Sequence, residues 1–323
     1  MKLANYPADY ASAHDDNLFE FDEVDTSRPC ELHFYDGESN LLGVRRYVGR
    51  ESIATSPKAF VLSQLNPHPV PLVEGCRFVV PSGREAALSV GYNNNSERTP
   101  EVLFTCSHKA LAVDTPLGSS EEWRTIAAGE CDEVTICVAP STTIVALAIF
   151  ANGVSIPLAK QVNKHKGIVA LCFNANHILL HSSAPQGATE FEVVVRSGAV
   201  ECVRIHYRVV PPVEGGVRLA WLSADGSIRY HTFPRPTSHR LLASRREGVA
   251  VESWEEVELD SGVLSIREAR TLSEIVASPL VWRLVNGEFE PQSIVGHNVL
   301  RGVARPERVS LTICPQEKTS FNL

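Results

Sequence analysis

The sequence lacks any apolar run of the roughly 18 residues that a membrane-spanning helix needs. Its longest uncharged apolar stretch, residues 138–150, is interrupted by Pro140 and the polar residues that follow it. Residues 1–7 also lack the apolar centre of a secretory signal. We therefore expect no membrane partner, and we expect a protein that stays in the cytoplasm where it is synthesised unless a signal has been removed.

Basic runs are also missing, because no Lys/Arg run is longer than a pair such as Arg245-Arg246. The chain carries 30 basic and 38 acidic residues, for a net charge of −8. Proteins that bind nucleic acid need a basic surface against the phosphates, so the sequence predicts no nucleic-acid partner. The acidic excess is concentrated in residues 1–28, which we interpret as a solvated N-terminal arm.

The usual motifs of catalysis and cofactor binding are absent: there is no phosphate loop, dinucleotide fingerprint, nucleophile elbow or zinc-protease helix. Cys172, His177 and His181 come nearest to a metal-ligand cluster, but we interpret them as a core cysteine with two histidines at its rim. The spacing of Cys131 and Cys137 is not that of a redox pair. We expect no catalytic residue, no metal, no cofactor and no small-molecule ligand.

Two further groups of residues have structural interpretations. The adjacent pairs Glu121-Glu122 and Glu255-Glu256 cannot point into one glycosidase cleft from a single strand, so solvated faces are favoured. The eight cysteines lie mostly among apolar neighbours, as in Leu171-Cys172-Phe173, which favours buried reduced thiols.

Short apolar or alternating runs recur about every 8 to 12 residues and are separated by Gly, Pro, Asn, Asp and Ser. This spacing predicts an all-β fold of two immunoglobulin-like β-sandwiches followed by a β-rich C-terminal module with one short helix. The predicted divisions are an acidic arm at 1–28, a first sandwich at 29–140, a second at 141–211 and the C-terminal module at 212–323. Residues 210–216, rich in Pro and Gly, are the predicted linker.

Several elements can be placed individually. Hairpins are predicted at residues 191–209 and at 217–233, the latter across Asp225-Gly226, and another at 252–266. A strand is expected at 178–181. One helix is predicted at 266–277, with a capping box from either Ser265 and Glu268 or Thr271 and Glu274, and with Pro279 after it.

Aromatic side chains are the remaining candidates for contact with a partner. The tryptophans are Trp123, Trp221, Trp254 and Trp282, and the last three lie with Tyr230 in strand candidates of the C-terminal module. Core packing is the favoured interpretation for that module. A partner-facing role for Trp221, Tyr230, Trp254 and Trp282 is the alternative hypothesis.

The C-terminal third carries a recognisable order of features. It begins with a tryptophan-containing strand and an Asp-Gly turn, residues 219–226, followed by an aromatic strand at 230–233. Residues 272–282 then contain a short helix, a Ser-Pro pair and a strand, and an Asn-Gly turn with the strand after it follows at 286–291. This order resembles a module of tail-associated virion structural proteins of tailed phages and prophages, where immunoglobulin-like domains precede it. The chain departs from the usual Trp-Leu-Asn at Trp221-Leu222-Ser223. The resemblance implies assembly and carries over no catalytic residue.

We therefore expect a non-enzymatic structural protein, an oligomer whose partners are copies of itself or other virion or tail subunits. The alternative is an adhesin-like module that binds carbohydrate or protein through immunoglobulin-like domains. An enzyme would require a cleft of converging polar groups at domain junctions, and a deep pocket lined by Cys172, His177 and His181 would favour that interpretation.

Overall fold

The computed structural model describes residues 1–70, 72–116, 121–246, 249–300, 307–316 and 319–320. Strands make up 54% of the structure and helices 7%, so the prediction of an all-β fold is confirmed. The immunoglobulin-like assignment of the sandwiches stays a prediction. Over the described residues, none of the helices has both the length and the apolar character to cross a bilayer.

The N-terminal module consists of two sheets that share one apolar core. In chain order its part of the sequence forms β1 (Lys2–Asn5), β2 (Ala11–Ser12), β3 (Phe19–Asp22), β4 (Cys30–Asp36), β5 (Leu41–Tyr47), β6 (Ile53–Thr55), helix α1 (Lys58–Leu62), β7 (Cys76–Val79), β8 (Glu85–Tyr92), β9 (Glu97–Arg98) and β10 (Val102–Thr105). The sheets are β1-β3-β6 and β2-β10-β8-β4-β5, with β9 beside β8. Strand β7 alone leaves this module and pairs with the next one.

Residues 1–28 are not the solvated arm that the charge pattern predicted. Strand β3 places Phe19 and Phe21 in the N-terminal core, where both are fully buried. Tyr10 is also buried, and its hydroxyl donates to the Val138 carbonyl oxygen at 2.6 Å. Alternation along Phe19–Asp22 turns the acidic side chains outward while the aromatic rings pack inward, so charge density alone misjudged this segment.

The middle module is a second sandwich whose core lies between a five-stranded and a three-stranded sheet. Its elements are β11 (Glu121–Ala127), β12 (Cys131–Val138), β13 (Thr143–Ile149), β14 (Ser155–Val162), β15 (Gly167–Asn174), helix α2 (Ala175–Leu179), β16 (Glu190–Ser197) and β17 (Val200–Val210). The sheets are β11-β17-β16-β13-β14 and β12-β15-β7. The predicted division at residue 140 is therefore misplaced, because β7, β11 and β12 all belong to this second sandwich.

The C-terminal module is built on one large twisted sheet, in the order β19-β18-β22-β23-β24-β21-β20 with β25 beside β21. Its elements are β18 (Val217–Leu222), β19 (Ile228–Phe233), β20 (Arg235–Arg246), β21 (Val249–Asp260), helix α3 (Ile266–Leu272), a 3₁₀ turn (Ser273–Ala277), β22 (Val281–Val285), β23 (Glu288–Leu300), β24 (Arg308–Pro315) and β25 (Thr319–Ser320). Residues 211–216 connect β17 to β18, and Val210, the first residue of the predicted linker, belongs to β17.

The most specific local predictions are confirmed. Strands β16 and β17 form one predicted hairpin, and β18 and β19 form the other across Asp225-Gly226. The predicted helix is present as α3 and the 3₁₀ turn, and Ser265 and Glu268 make both hydrogen bonds of the capping box. Gly226 has φ +84°, and a Cβ there would lie 2.8 Å from the Ser107 backbone nitrogen, so this turn requires glycine.

Two local predictions are wrong. The strand expected at 178–181 is replaced by helix α2, which begins where the Asn174 side chain accepts a hydrogen bond from the Asn176 N–H at 2.9 Å. The hairpin expected at 252–266 does not form, because β21 pairs with β20 and β24 and the helix begins at Ile266. In the first case a side-chain cap outweighs a short apolar run, and in the second the strand pairs with residues before it instead of those directly after it.

Candidate functional site

A cluster of buried charged side chains lies where the three modules meet, and we call it the charged junction. It consists of Arg84 from the N-terminal module, Glu122, Arg124, Asp132 and Glu133 from the middle module, and Arg229 from the C-terminal module. All six are less than a tenth exposed. Charged side chains are rarely buried unless they are paired, so the pairing of each one determines what the junction can do.

Arg84 and Glu133 form the centre of the junction. The guanidinium contacts both carboxylate oxygens of Glu133, the second at 3.0 Å, and also donates to the His68 carbonyl oxygen. The Tyr230 hydroxyl donates to the same carboxylate at 2.9 Å. One carboxylate of the middle module is therefore held by a side chain from each of the other two modules.

A second set of pairs continues the junction along β11. Arg124 donates to Glu122 at 2.9 Å and to Asp132 at 3.1 Å. The other oxygen of Glu122 accepts from Arg229 at 2.6 Å, and Arg229 also contacts Asp225 and Glu274. Glu122 thus connects the middle module to the C-terminal module.

Strand alternation explains why these charges are inside. Along β11, the side chains of Glu122, Arg124 and Ile126 are buried, whereas Trp123 and Thr125 are half-buried on the other face. Ile126 joins the apolar core, and the two charged residues occupy the same inward face toward the strand's other end. The interpretation of Glu121-Glu122 as a solvated face is therefore wrong for Glu122.

The chemistry of the junction is that of paired ions. Burial lowers the pKa of Arg124, but the charges of Asp132 and Glu122 more than offset this, so its pKa lies well above the usual value. Burial raises the pKa of Asp132, and Arg124 opposes that rise. Each acidic group of the junction lies against an arginine, so its charge is compensated within the protein.

Trp123 lies on the outward face of β11, between two clefts beside α3. Its ring stacks on His206, its register partner on β17, at 4.5 Å with 6° between the planes, and the Arg267 guanidinium lies 4.2 Å from the ring centroid. The clefts have volumes of about 310 and 480 Å³. A sugar-binding platform needs an open aromatic face, and here both neighbours already occupy the ring.

Three of the four candidate partner-facing aromatics lie in the core. Trp221, Tyr230 and Trp282 are exposed by only 1%, 6% and 2%. This burial leaves them no surface for a partner, because they pack with the apolar residues of β18, β19 and β22. Trp254 alone keeps exposed area, on β21.

The possible metal cluster is not assembled. Cys172 is buried in β15 beside Val73 and Ala170, while His177 lies on α2 and His181 beyond it. Burial raises the pKa of the Cys172 thiol, which makes it a poor nucleophile. Within the residues that the structure describes, no group of three or more His, Cys, Asp or Glu side chains is placed to hold a metal ion. All eight cysteines are free thiols.

Strands β20 and β21 form a long hairpin that we call the arm, residues 236–246 and 249–256. They pair from Arg235 opposite Asp260 to Arg246 opposite Val249. On its inner side β21 pairs with β24 only at residues 257–260 and with β25 at 252–253. At about 3.3 Å per residue, the arm extends roughly 25 Å past its last pair with β24.

The arm presents a free edge and an exposed leucine in the middle of β20. Among the described residues, no strand pairs with the outer side of β20, and none of the arm's side chains joins a hydrophobic core. Leu241 is 80% exposed. On the opposite face, Leu242 lies directly across from Trp254, so that tryptophan belongs to the arm.

Neither the charged junction nor the arm was predicted from the sequence. The junction could have been suspected from Glu122 and Arg124, whose spacing of two residues places opposite charges on one face of a strand that also carries Ile126. Nothing in the local sequence around Arg84 indicates burial. The arm was missed because the run 252–259 was assigned to a hairpin with the residues that follow it rather than with those before it.

No protein-family model matches the chain, and no curated protein matches it.

Proposed function

We propose that this protein is a non-enzymatic structural protein that assembles with copies of itself, and that the arm makes the contact. The observation that carries the proposal is the unpaired outer edge of β20 over the arm, beside a leucine that is 80% exposed. Proteins usually cover, shorten or charge such an edge, because it is a ready template for another strand. The edge of β20 is charged, but among the described residues it is neither covered nor short, so it is a site for the addition of a strand of opposite charge.

Charge favours a contact between unlike surfaces of two copies. Strand β20 contains four arginines and no acidic residue, so two β20 strands side by side would repel. Residues 1–28 contain seven acidic residues and two basic ones, and Asp22, Glu23 and Asp25 are exposed. The arm of one copy would therefore contact the N-terminal module of the next, and a head-to-tail contact of this kind builds rings or filaments.

The charged junction supports the same function. In a head-to-tail assembly, the arm of one copy sets the position of the next copy. It can do so only if the arm is fixed relative to the surface of its own copy that binds another arm. Arg84, Glu133 and Tyr230 link the N-terminal, middle and C-terminal modules through hydrogen-bonded buried contacts. The setting that we propose is a phage-tail-like particle, and that part of the proposal rests on the resemblance of the C-terminal third alone.

Sedimentation velocity over a range of protein concentrations tests the proposal. We expect the wild-type protein to form larger species as its concentration rises, and Leu241→Asp to remain monomeric because a carboxylate on the edge repels the acidic surface of the next copy. The matched control is Leu180→Asp, since Leu180 is 78% exposed on the middle module, far from the arm in sequence.

Two results would contradict the proposal. One is a wild-type protein that stays monomeric at every concentration. The other is an equal effect of Leu241→Asp and Leu180→Asp on association. Association should also weaken between about 0.05 and 1 M salt, because salt screens contacts between exposed charges.

A further inference from the structure

A small cavity lies between the middle and C-terminal modules, separate from the surface of the arm. It is lined by residues of β11, β18, β19 and α3, and its volume is about 20 Å³. Thr125, Trp221, Arg229, His231 and Leu272 contribute to its lining. A cavity needs only about 10 to 15 Å³ to hold one water molecule, so this one is large enough for a single water.

Three buried polar atoms belong to side chains that line this cavity. They are Nε1 of Trp221, Nε of Arg229 and Nε2 of His231, and none has a hydrogen-bond partner among the described residues. The three side chains are 1%, 2% and 7% exposed. Buried polar groups in folded proteins nearly always have partners, either in the protein or in ordered water.

The chemistry of the three atoms defines the ligand. The indole Nε1–H and the guanidinium Nε–H can only donate hydrogen bonds, whereas the imidazole Nε2 accepts one when the proton is on Nδ1. We propose that the cavity holds one ordered water molecule, which accepts from Trp221 and Arg229 and donates to Nε2 of His231. Three hydrogen bonds are the usual number for a buried water.

Charge excludes the other small ligands. Arg229 is already in contact with the carboxylates of Glu122, Asp225 and Glu274, and Glu268 also lines the cavity. An anion would be repelled by these groups. A metal ion is excluded because two of the three unpartnered atoms are N–H donors, which have no lone pair to offer.

The arrangement requires one tautomer of His231. Nδ1 lies 3.2 Å from the Thr125 hydroxyl oxygen on β11, so a proton on Nδ1 is donated across the module boundary while Nε2 faces the water. Burial lowers the pKa of His231 to about 4, which keeps the ring neutral near pH 7. The water, His231 and Thr125 therefore form one chain of hydrogen bonds from β18 and β19 to β11.

NMR on the full-length ¹⁵N-labelled protein tests this directly. We expect a cross-peak between the Trp221 indole proton and water in a rotating-frame experiment, and imidazole ¹⁵N shifts that show His231 protonated on Nδ1 at pH 7. Absence of the cross-peak, or a proton on Nε2, would overturn the proposal.

Two variants of the positioning residue separate this role from simple packing. Thr125→Val removes the hydroxyl with almost no change in volume, and we expect it to shift His231 toward the Nε2-protonated tautomer and to abolish the cross-peak. Thr125→Ser keeps the hydroxyl and should preserve both signals. A Thr125→Val variant with the wild-type tautomer and cross-peak would contradict the assignment.

Discussion

Charged side chains are buried in the charged junction and exposed on the arm. In the junction, Arg84 and Glu133 are removed from water and held by several hydrogen bonds. On the arm, the His239 imidazole and the Glu255 carboxylate also pair, at 2.7 Å, but both side chains are about half exposed. The distances are similar, and yet the energetic consequences differ because solvent screens the second pair and not the first.

The comparison shows that one chain can pair its charges in the interior and also carry an unpaired strand edge at its surface. A buried pair is not a strong source of stability, since removing the ions from water costs much of what their attraction returns. It is specific, however, because a misaligned module would leave a charge without a partner. The exposed edge of β20 stabilises the monomer little and is therefore available for contact with another chain.

Removing the arginine at the centre of the junction should have the largest effect. Arg84→Met leaves the Glu133 carboxylate buried without its cation, and we expect a loss of about 3–5 kcal/mol in the free energy of unfolding. Denaturant titration measures it. The control is Arg46→Met, which breaks the pair with Glu31 at a side chain that is 66% exposed and should cost less than about 1 kcal/mol.

A second substitution distinguishes lost charge from lost packing. Glu133→Gln added to Arg84→Met removes the unpaired charge, so the double variant should recover part of the stability that the single variant lost. If the double variant lost as much stability as the two single variants lose together, the loss would come from packing. The charged junction and the arm would then not differ in how solvent screens their charges.

The pH dependence of stability has a specific source in Glu85. Burial raises the pKa of Glu85 to about 7, against the lowering effect of the Ile168 N–H, which donates to its carboxylate at 2.6 Å. The folded protein then binds this proton more tightly than the unfolded chain, so the stabilising contribution of protonation is lost as pH rises from about 4.5 to 7. Between pH 5 and pH 8, Glu85→Gln should gain about 1–3 kcal/mol relative to the wild type.

Thermal or denaturant unfolding of both proteins at several pH values measures this difference. His231 acts in the opposite direction, because its pKa is lowered to about 4 and its contribution is lost as pH falls from 6.5 toward 4. Both proteins contain His231, so its effect cancels in the comparison. A difference that stays constant from pH 5 to pH 8 would contradict the role assigned to Glu85.

The capping box of α3 should have a moderate effect. The helix packs against β11, and the Ser265 hydroxyl accepts from the Glu268 N–H while the Glu268 carboxylate accepts from the Ser265 N–H. Ser265→Ala should therefore lower the free energy of unfolding by about 1 kcal/mol. Thr271→Ala is the control, since the Thr271 hydroxyl donates to the Arg267 carbonyl oxygen at the long distance of 3.4 Å, and it should change stability by clearly less.

Substitution on the arm should have the smallest effect on stability. Leu241→Asp changes a side chain that is 80% exposed, and we expect less than about 0.5 kcal/mol at a protein concentration where the wild type is monomeric. Thermal unfolding in parallel with Leu180→Asp checks it. A loss of several kcal/mol would mean that the arm is part of the folded core and not a surface reserved for contact.

The sequence predicted those parts of the fold that depend on residues close together in the chain. The Asp225-Gly226 hairpin and the Ser265 capping box are of this kind, because turn and cap chemistry act within a few residues. The burial of Arg84 depends on Glu133, which is 49 residues away, and on Tyr230 in another module. Pairing between residues so far apart in the chain produces no periodic pattern in the sequence. The candidate site was therefore recognised only from the structure.

Hydrogen exchange followed by mass spectrometry at low and high protein concentration tests the central claim most directly. We expect the backbone amides of β20 to become protected as concentration rises, because another copy covers the free edge, while protection in β11 and β12 at the junction stays high and unchanged. If protection of β20 did not depend on concentration while larger species formed, the arm would not be the contact and the proposed mode of assembly would be wrong.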